Sequence, residues 1–335
     1  MLEKNLNAMC RAPHHHQEDL ASFAPRRNIK KLFFRGSKDA HELAADFQTS
    51  LFISADSHLS DDSGMAEKAR HDISKLYRKI HMITNHLGSW AARKYVEGIM
   101  QCHKNDPTSS PMEFFTWVPR NWRKELQNVL VDKIDVTSWH AQQDEVSDKV
   151  ERLLSYLENY NATTLSGIIF VKERTTAFAL SLLLDEHPRT SGRFRCAPCV
   201  SDINRSDPWG IREHLEFGKC EAIVDQFRRG EKNLIIATNV LEEGVDLPAC
   251  HLVLSFDPPE SLQSYIQRRG RARHNTSEFV IMEEVGLSSK QSDRWRELEK
   301  EMQRLCSDPE RSIDQGDERR DVSESISLRL ESTIG

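Results

Sequence analysis

Two short segments of the sequence combine groups that suit phosphate and ribose. The first reads ATNVLEEGVDLP at residues 237–248 and lies between two apolar runs. Thr238 offers a hydroxyl and a backbone N–H to a phosphate oxygen, Gly244 permits close backbone approach, and Asp246 can accept hydrogen bonds from ribose hydroxyls. The same residues also fit an ordinary strand–helix–strand turn with an incidental acidic patch, so this segment alone leaves both interpretations open.

The second segment reads QRRGRAR at residues 267–273 and carries four arginines within six positions. Guanidinium groups so close together repel one another unless anions lie between them, and they bind phosphate bidentately without losing their charge. An arginine placed there can neutralise the charge that develops on a transferred γ-phosphoryl group, an effect worth about 10³–10⁵ in rate. The alternative is a solvated basic patch that binds nucleic acid without sequence preference, although the order and spacing of the two segments favour the phosphoryl interpretation.

Short β-type runs and helical runs alternate around both segments. Strands are predicted at 167–171, 195–200, 233–237, 251–256 and 278–283. Helices are predicted between them at 174–184, 221–229 and 262–269. This rhythm predicts an α/β fold with a parallel sheet. In such sheets the functional groups leave the carboxyl ends of strands, which is where both segments fall.

The region from about 65 to 160 has a different period, with apolar residues three and four positions apart. The pattern includes Ile80 and Leu87, breaks at the PTSSP segment 107–111, and resumes through Trp117, Trp122 and Leu154. This spacing predicts helices with one apolar face, and we interpret that face as a helical bundle core rather than a cofactor site. Residues 54–64 are polar and predict a loop or linker.

Composition excludes several classes of protein. The chain of 335 residues carries 46 Lys and Arg against 52 Asp and Glu, a net charge of −6 that excludes a histone-like polycation. No stretch approaches the roughly 20 apolar residues of a membrane span, and the N-terminus lacks the apolar core of a secretory signal. Seven irregularly spaced cysteines fit reduced thiols. We therefore expect a cytoplasmic protein without membrane partners, with the nucleus as the alternative location.

Three segments resemble motifs of superfamily 2 RNA helicases. ATNVLEEGVDLPAC and SYIQRRGRAR are similar to motifs V and VI, and GIIFVKERTTAFAL is similar to motif IV. The residues of the first two segments are most similar to those of the Dicer-like and antiviral RNA-sensor branch, particularly to those of fungal-type Dicer-like proteins. Residues 2–13 also resemble the segment after motif III, residues 290–306 the pincer, and residues 328–335 the first strand of the Dicer dimerisation domain.

The resemblance implies a parallel-sheet RecA-like helicase C-terminal domain with an α-helical insertion domain. It divides the chain into a remnant that follows the first RecA-like domain, the insertion, the helicase C-terminal domain, a pincer-like helix with a charged linker, and the truncated start of a dimerisation domain. The corresponding boundaries are 1–60, 61–160, 161–286, 287–321 and 322–335. We expect the alternating apolar strand near the end of the chain to pair with an earlier segment or to belong to a longer protein.

The resemblance also implies roles for residues of each motif. Contacts to the RNA backbone are implied for Thr238, Lys172 and Arg174. A position on the ATP and ribose side of the cleft is implied for Gly244, Asp246 and Arg268. Contacts to the nucleotide phosphates are implied for Gln267, Arg271 and Arg273. The two arginines are the candidate arginine fingers. The wider superfamily spaces those arginines as GRxxR, whereas this chain has the shorter GRAR of Dicer-like proteins.

ATP hydrolysis in this family needs a phosphate loop ending in Gly-Lys-Ser/Thr and a DExH segment for Mg²⁺, and neither is in the sequence. Gly218-Lys219 is followed by Cys220, and Asp185-Glu186-His187-Pro188 lies inside or directly after a predicted helix with no phosphate loop before it. Ribonuclease III segments are also missing. We expect a module that binds double-stranded RNA in RNA silencing or antiviral defence. ATP with Mg²⁺ would be used only with a first RecA-like domain, which a separate polypeptide could supply. The alternative is a stand-alone RNA-binding or regulatory fragment, or a degenerate gene product, without catalysis.

A metal site is also conceivable from the cysteines. Cys196, Cys199, His214 and Cys220 have the spacing C-x2-C-x14-H-x5-C, which a zinc ion could use. The first two lie on a predicted strand and no second CxxC exists, so we expect no metal here.

Overall fold

The computed structural model describes residues 28–35, 63–95, 146–201, 220–242, 244–274, 276–286 and 289–306. Within them, six parallel strands form one sheet in the order β1-β6-β5-β2-β4-β3. The strands are β1 (Asn28–Phe34), β2 (Gly167–Phe170), β3 (Cys196–Cys199), β4 (Leu234–Ala237), β5 (Leu252–Ser255) and β6 (Glu278–Glu284). The parallel sheet predicted from the strand–helix rhythm is confirmed.

Helices cover both faces of this sheet. They are α1 (Ser63–Leu87), α2 (Asp148–Leu157), α3 (Arg174–Glu186), α4 (Cys220–Arg228), α5 (Leu262–Arg269) and α6 (Ser289–Cys306). Residues 89–95 are also helical, and Asn239–Leu241 form a 3₁₀ turn. The central strands read GIIF, LIIA and LVLS and are buried at every position, because both of their faces need apolar cover.

Two apolar cores result, one on each face. The first joins α1, α2 and α3 to the sheet and includes Ile83, Leu154 and Ile169. The second lies beneath α4 and α5 and includes Phe227 and Tyr265. The predicted strands and helices of the sheet domain agree with the observed ones to within two residues at each end.

The helical region differs from its predicted arrangement. In the described residues, the buried face of α1 and of residues 89–95 packs against the sheet and its helices rather than into a separate bundle. Helix α1 begins at Ser63, so the last two residues of the loop predicted at 54–64 are helical, and residues 54–62 lie outside the described residues. The Trp117 and Trp122 pattern, the N-terminal segment 2–13, the linker at 307–321 and the strand near the C-terminus lie outside the described residues. The domain boundaries stay predictions.

The edge strand β1 was not predicted. Its sequence, NIKKLFF, interrupts the apolar alternation with two lysines. Both are neutralised in the fold: Lys30 pairs with Glu278, and Lys31 Nζ lies 2.8 Å from Asp293 of α6. Lysines on an edge strand discourage pairing with other chains. The two lysines that obscure the strand pattern in the sequence are therefore suited to an edge strand.

Two of the cysteines differ from the expectation of reduced thiols. Cys199 at the end of β3 and Cys220 at the start of α4 form a disulfide, with their Cα atoms 4.9 Å apart, so the expectation is wrong for this pair. Cys196 and Cys250 are buried and free. Within the described part of the chain, no group of three or more His, Cys, Asp and Glu residues could hold a metal ion, and His214 lies outside that part. None of the described helices has both the length and the apolar character to cross a membrane.

Candidate functional site

The predicted site residues meet at the carboxyl edge of the sheet. Strand β2 pairs with both β4 and β5, so the segments that follow these three strands are neighbours. Thr238 follows β4 directly, and Lys172 comes two residues after β2. Asp257, which sequence reasoning did not select, comes two residues after β5. The parallel topology therefore brings together loops that are far apart in the sequence.

The loop after β4 has the conformation its composition suggests. Thr238 is buried and its N–H donates to the Cys199 carbonyl at 3.3 Å, which anchors the loop to the neighbouring strand end. Gly244 has φ +74°, a left-handed conformation that L side chains rarely adopt, while the space around its Cα is open. Asp246 is exposed, and its carbonyl accepts from Arg228 Nη2 at 2.6 Å. A carboxylate thus faces solvent from a fixed loop.

Arg268 is buried and joins the two motif-like segments. Its Nε lies 2.8 Å from Glu242 Oε1, which also accepts from Ser264 Oγ at 2.7 Å. Its Nη1 donates to the Asp257 carbonyl at 2.8 Å, and its guanidinium lies over the Phe170 ring. Several of its donors are therefore used inside the fold. Its contact with a nucleotide stays a prediction.

Arg271 is also buried, and it holds the loop after β4. Its Nη1 donates to the Val245 carbonyl at 2.6 Å and its Nη2 to the Glu242 carbonyl at 3.0 Å. Burial and the nearby Arg273 lower the pKa of its guanidinium. Gly270 supports this geometry, because a Cβ at that position would lie 3.1 Å from the Ile266 carbonyl oxygen.

Arg273 and Gln267 remain accessible to different degrees. The Arg273 side chain is exposed, and its Nε donates to the Gly270 carbonyl at 3.1 Å. Gln267 is partly exposed on α5. Of the three residues predicted to contact nucleotide phosphates, Arg273 is therefore the most exposed to solvent.

The remaining arginine of the cluster, Arg269, binds the buried Glu299 of α6. The expectation that these arginines need anions is met within the chain for two of the four. Arg268 uses Glu242, Arg269 uses Glu299, Arg271 uses carbonyl oxygens and Arg273 points to solvent. Sequence spacing could not show this, because Glu242 and Glu299 lie 26 and 30 residues from their partners.

The two residues of the loop after β2 are accessible. The Lys172 side chain is 63% exposed, and its Nζ lies 2.6 Å from Glu260 Oε1, an interaction that raises its pKa. Arg174, the first residue of α3, is partly exposed and donates to Ser201 Oγ at 2.8 Å. Both side chains extend from the same edge as Thr238, so the structure brings the three predicted RNA contacts to one edge of the sheet.

Asp257 is a charged residue of this edge for which no local sequence pattern indicated a role. It is buried, and its Oδ1 lies 2.7 Å from Lys149 Nζ and 3.5 Å from His86 Nδ1. Burial alone would raise the pKa of this carboxyl, but the charge of Lys149 and the contact with His86 outweigh burial, and the pKa lies well below its usual range. Its Oδ2 accepts the Lys172 N–H at 2.8 Å. The carboxylate therefore stays charged at the base of the site.

A comparison with protein families identifies the class to which this region belongs. Residues 148–275 match the helicase conserved C-terminal domain. The match includes α2, strands β2 to β5, helix α5 and each residue proposed for the site. Strands β1 and β6 lie outside the matched residues and complete the parallel sheet. The matched region is a helicase C-terminal domain with a RecA-like α/β fold.

Individual relatives narrow that class. The chain is 32% identical to Dicer-like protein 2 of Aspergillus fumigatus and 31% identical to Dicer-like protein 2-1 of Aspergillus niger, in each case over 98% of this chain and 26% of the relative. It thus spans about a quarter of the length of these curated relatives. The Hef helicase domain of Pyrococcus furiosus is 20% identical, covers 85% of this chain and 60% of its own, and has a TM-score of 0.41. The chain belongs with the helicase C-terminal half of Dicer-like proteins.

Proposed function

We propose that this chain is a helicase module that acts on double-stranded RNA in RNA silencing. The observation that carries the proposal is the convergence of Thr238, Lys172 and Arg174 on adjacent ends of one sheet. Lys172 is exposed and Arg174 is partly exposed. Two such cations at the same edge as the Thr238 hydroxyl can contact a phosphate backbone without reading its sequence. The names of the Dicer-like relatives support RNA silencing as the setting.

The arginine-rich helix end would serve the nucleotide side of the module. Arg273 has the exposed guanidinium and is the better candidate for an arginine finger. Arg271 would act mainly by holding the loop that carries Gly244 and Asp246, because its donors already bind that loop. Gln267 lies on the same helix end and would contact phosphate together with Arg273.

The residues present fit one side of a bound nucleotide. Asp246 offers an exposed carboxylate for ribose, and Gly244 leaves its loop free of a side chain. A phosphate loop and ligands for Mg²⁺ would have to come from a first RecA-like domain, in the same protein or in a separate polypeptide. ATP with Mg²⁺ would neutralise and orient the phosphates there. This chain alone would bind RNA without hydrolysing ATP.

Duplex RNA titrations at several salt concentrations test the RNA side. Each lost phosphate contact reduces the magnitude of the slope of log K against log salt, by about 0.9 in the case of duplex DNA. We expect Lys172→Ala and Arg174→Ala each to weaken binding and to reduce that slope, and Thr238→Ala to weaken binding. Arg229→Ala is the matched control, because Arg229 is an exposed arginine that pairs with Glu231 at the end of α4.

Three results would overturn the proposal. Binding that does not change with salt would mean that phosphate contacts do not contribute to it. An equal loss of affinity in Arg229→Ala would indicate diffuse attraction rather than a site. The third result is ATP turnover by this chain alone, since the sequence contains no Gly-Lys-Ser/Thr loop. In a complex with a supplied first RecA-like domain, Arg273→Ala should lower turnover by about 10³-fold or more while RNA binding is retained.

A further inference from the structure

We propose that Asp257 is a positioning residue that holds the RNA-contacting loop and the arginine-bearing helix at a fixed separation. The inference rests on the proposed function and assigns a role to a residue outside the helicase motifs recognised in the sequence. Asp257 contacts the RNA-contacting loop and the arginine-bearing helix with different atoms. Its Oδ2 accepts the Lys172 N–H at 2.8 Å, and its carbonyl accepts from Arg268 Nη1 at 2.8 Å.

These two contacts reach both proposed halves of the site. Lys172 lies in the loop after β2, where RNA contacts are proposed. Arg268 lies on α5, and its Nε binds Glu242 in the loop after β4. Asp257 lies in the loop after β5. It therefore links that loop, and through Arg268 the loop after β4, to the loop after β2. Catalytic and binding groups need such support, because a displacement of about 1 Å can cost 10²-fold in rate.

The other carboxylate oxygen fixes Asp257 itself. Its Oδ1 binds Lys149 Nζ at 2.7 Å, and that ammonium lies 4.0 Å from the centre of the Phe256 ring and 5.0 Å from that of Phe34. Lys149 is only 5% exposed. A buried ion pair is a poor source of stability compared with apolar side chains of the same size. A carboxylate is nevertheless suited to this position because one group accepts from two directions.

Helices α1 and α2 also reach this junction. His86, in the last turn of α1, places Nδ1 3.5 Å from Asp257 Oδ1. The His86 carbonyl accepts from Ser147 Oγ at 2.7 Å, and Ser147 caps α2 by accepting from the Val150 N–H. The end of α1 and the start of α2 are therefore joined directly above the carboxylate. Asp257 is thus fixed by residues of α1 and α2, and it in turn fixes the loop that carries Lys172.

The experiment separates this positioning role from the strength of the ion pair. Lys149→Met first removes the buried cation while keeping a long apolar side chain on the two rings. In that background, Asp257→Asn retains an acceptor for the Lys172 N–H, whereas Asp257→Leu has the same number of side-chain heavy atoms and no acceptor. Neither double variant has the ion pair, so they differ in the contact to Lys172 and in the longer contact to His86.

We expect the Leu double variant to bind duplex RNA about tenfold more weakly than the Asn double variant, as for loss of one hydrogen bond. Affinities are compared at one salt concentration and corrected for the folded fraction measured by circular dichroism. Hydrogen exchange of the Lys172 amide is the second readout, and it should be faster in the Leu variant alone. If the Leu variant does not fold, Asp257→Ala removes the same acceptor with less bulk.

The outcomes distinguish the two levels of proposal. If the wild-type chain does not bind duplex RNA, the proposed function fails, while the exchange of the Lys172 amide still decides whether Asp257 holds that loop. If the wild type binds RNA and the Asn and Leu double variants bind equally well, the positioning role is overturned. Equal exchange rates at Lys172 in the two variants overturn it as well, whatever the affinities.

Discussion

Charged pairs at the carboxyl edge of the sheet fall into two regions with opposite properties. The pairs Arg268–Glu242 and Lys149–Asp257 are buried, with every side chain at most 10% exposed. A few residues away, the pair Lys172–Glu260 has side chains that are 63% and 65% exposed. The N–O distances are similar, from 2.6 to 2.8 Å, so distance does not distinguish a structural pair from an available one.

What distinguishes them is the cost of losing a partner. A charge left alone in the interior cannot be solvated, and breaking a buried pair costs about 3–5 kcal/mol. Water replaces a lost partner at the surface, so exposed pairs contribute about 0–1 kcal/mol. The buried pairs therefore fix the geometry of this edge, whereas Lys172 can exchange Glu260 for a phosphate at little cost. The following predictions test that difference.

The largest effect is expected from Glu242→Gln. The substitution keeps the size of the side chain but leaves the Arg268 guanidinium buried without its carboxylate. We expect the free energy of unfolding to fall by about 3–5 kcal/mol, measured by chemical denaturation. Glu231→Gln is the control, because it makes the same change in an exposed pair with Arg229. If both variants lose similar stability, the distinction between buried and exposed pairs is wrong.

An effect of pH is expected from Asp257. Its pKa is lowered in the folded state, so it contributes stability above its unfolded pKa of about 3.9 and loses that contribution as the pH falls. The difference in stability between the wild type and Asp257→Asn should therefore be largest near neutral pH and shrink below about pH 4. Denaturation curves at several pH values measure it. A difference that stays constant down to pH 3 contradicts a charged Asp257.

The smallest effect on stability is expected from Glu260→Gln. Because its pair with Lys172 is exposed, the free energy of unfolding should change by no more than about 0.5 kcal/mol. RNA affinity at low salt should nevertheless rise, since a carboxylate that competes for Lys172 has been removed. Denaturation and an RNA titration on the same preparation give both values. A fall in affinity would instead mean that Glu260 orients Lys172.

Much of the sheet could be predicted from the sequence, because strands such as GIIF and LIIA are apolar at nearly every position and are separated by helical spacing. β1 could not, since Lys30 and Lys31 obscure its pattern and their acidic partners lie about 250 residues away. The helices before the sheet were recognised as helices. Their packing on the sheet was not, because an apolar face does not indicate what covers it.

The site shows a similar limit. The sequence indicated which loops carry chemistry, and the structure brings Thr238, Lys172 and Arg174 to one edge. The arginine cluster was harder to interpret, because a run of arginines is equally compatible with a ligand and with acidic partners from distant helices. Asp257 gave no local signal, since its role depends on Lys149 and His86, which are more than a hundred residues away.

The position of β1 has a consequence for how the chain is made. Asn28 pairs with Glu278, so at about 5–20 residues per second the ribosome adds the partner of β1 roughly ten to fifty seconds after β1 itself. During that interval NIKKLFF is a nascent segment with four large apolar residues and no sheet to join. Its two lysines then act as gatekeepers against aggregation before they become ion-pair partners in the finished sheet.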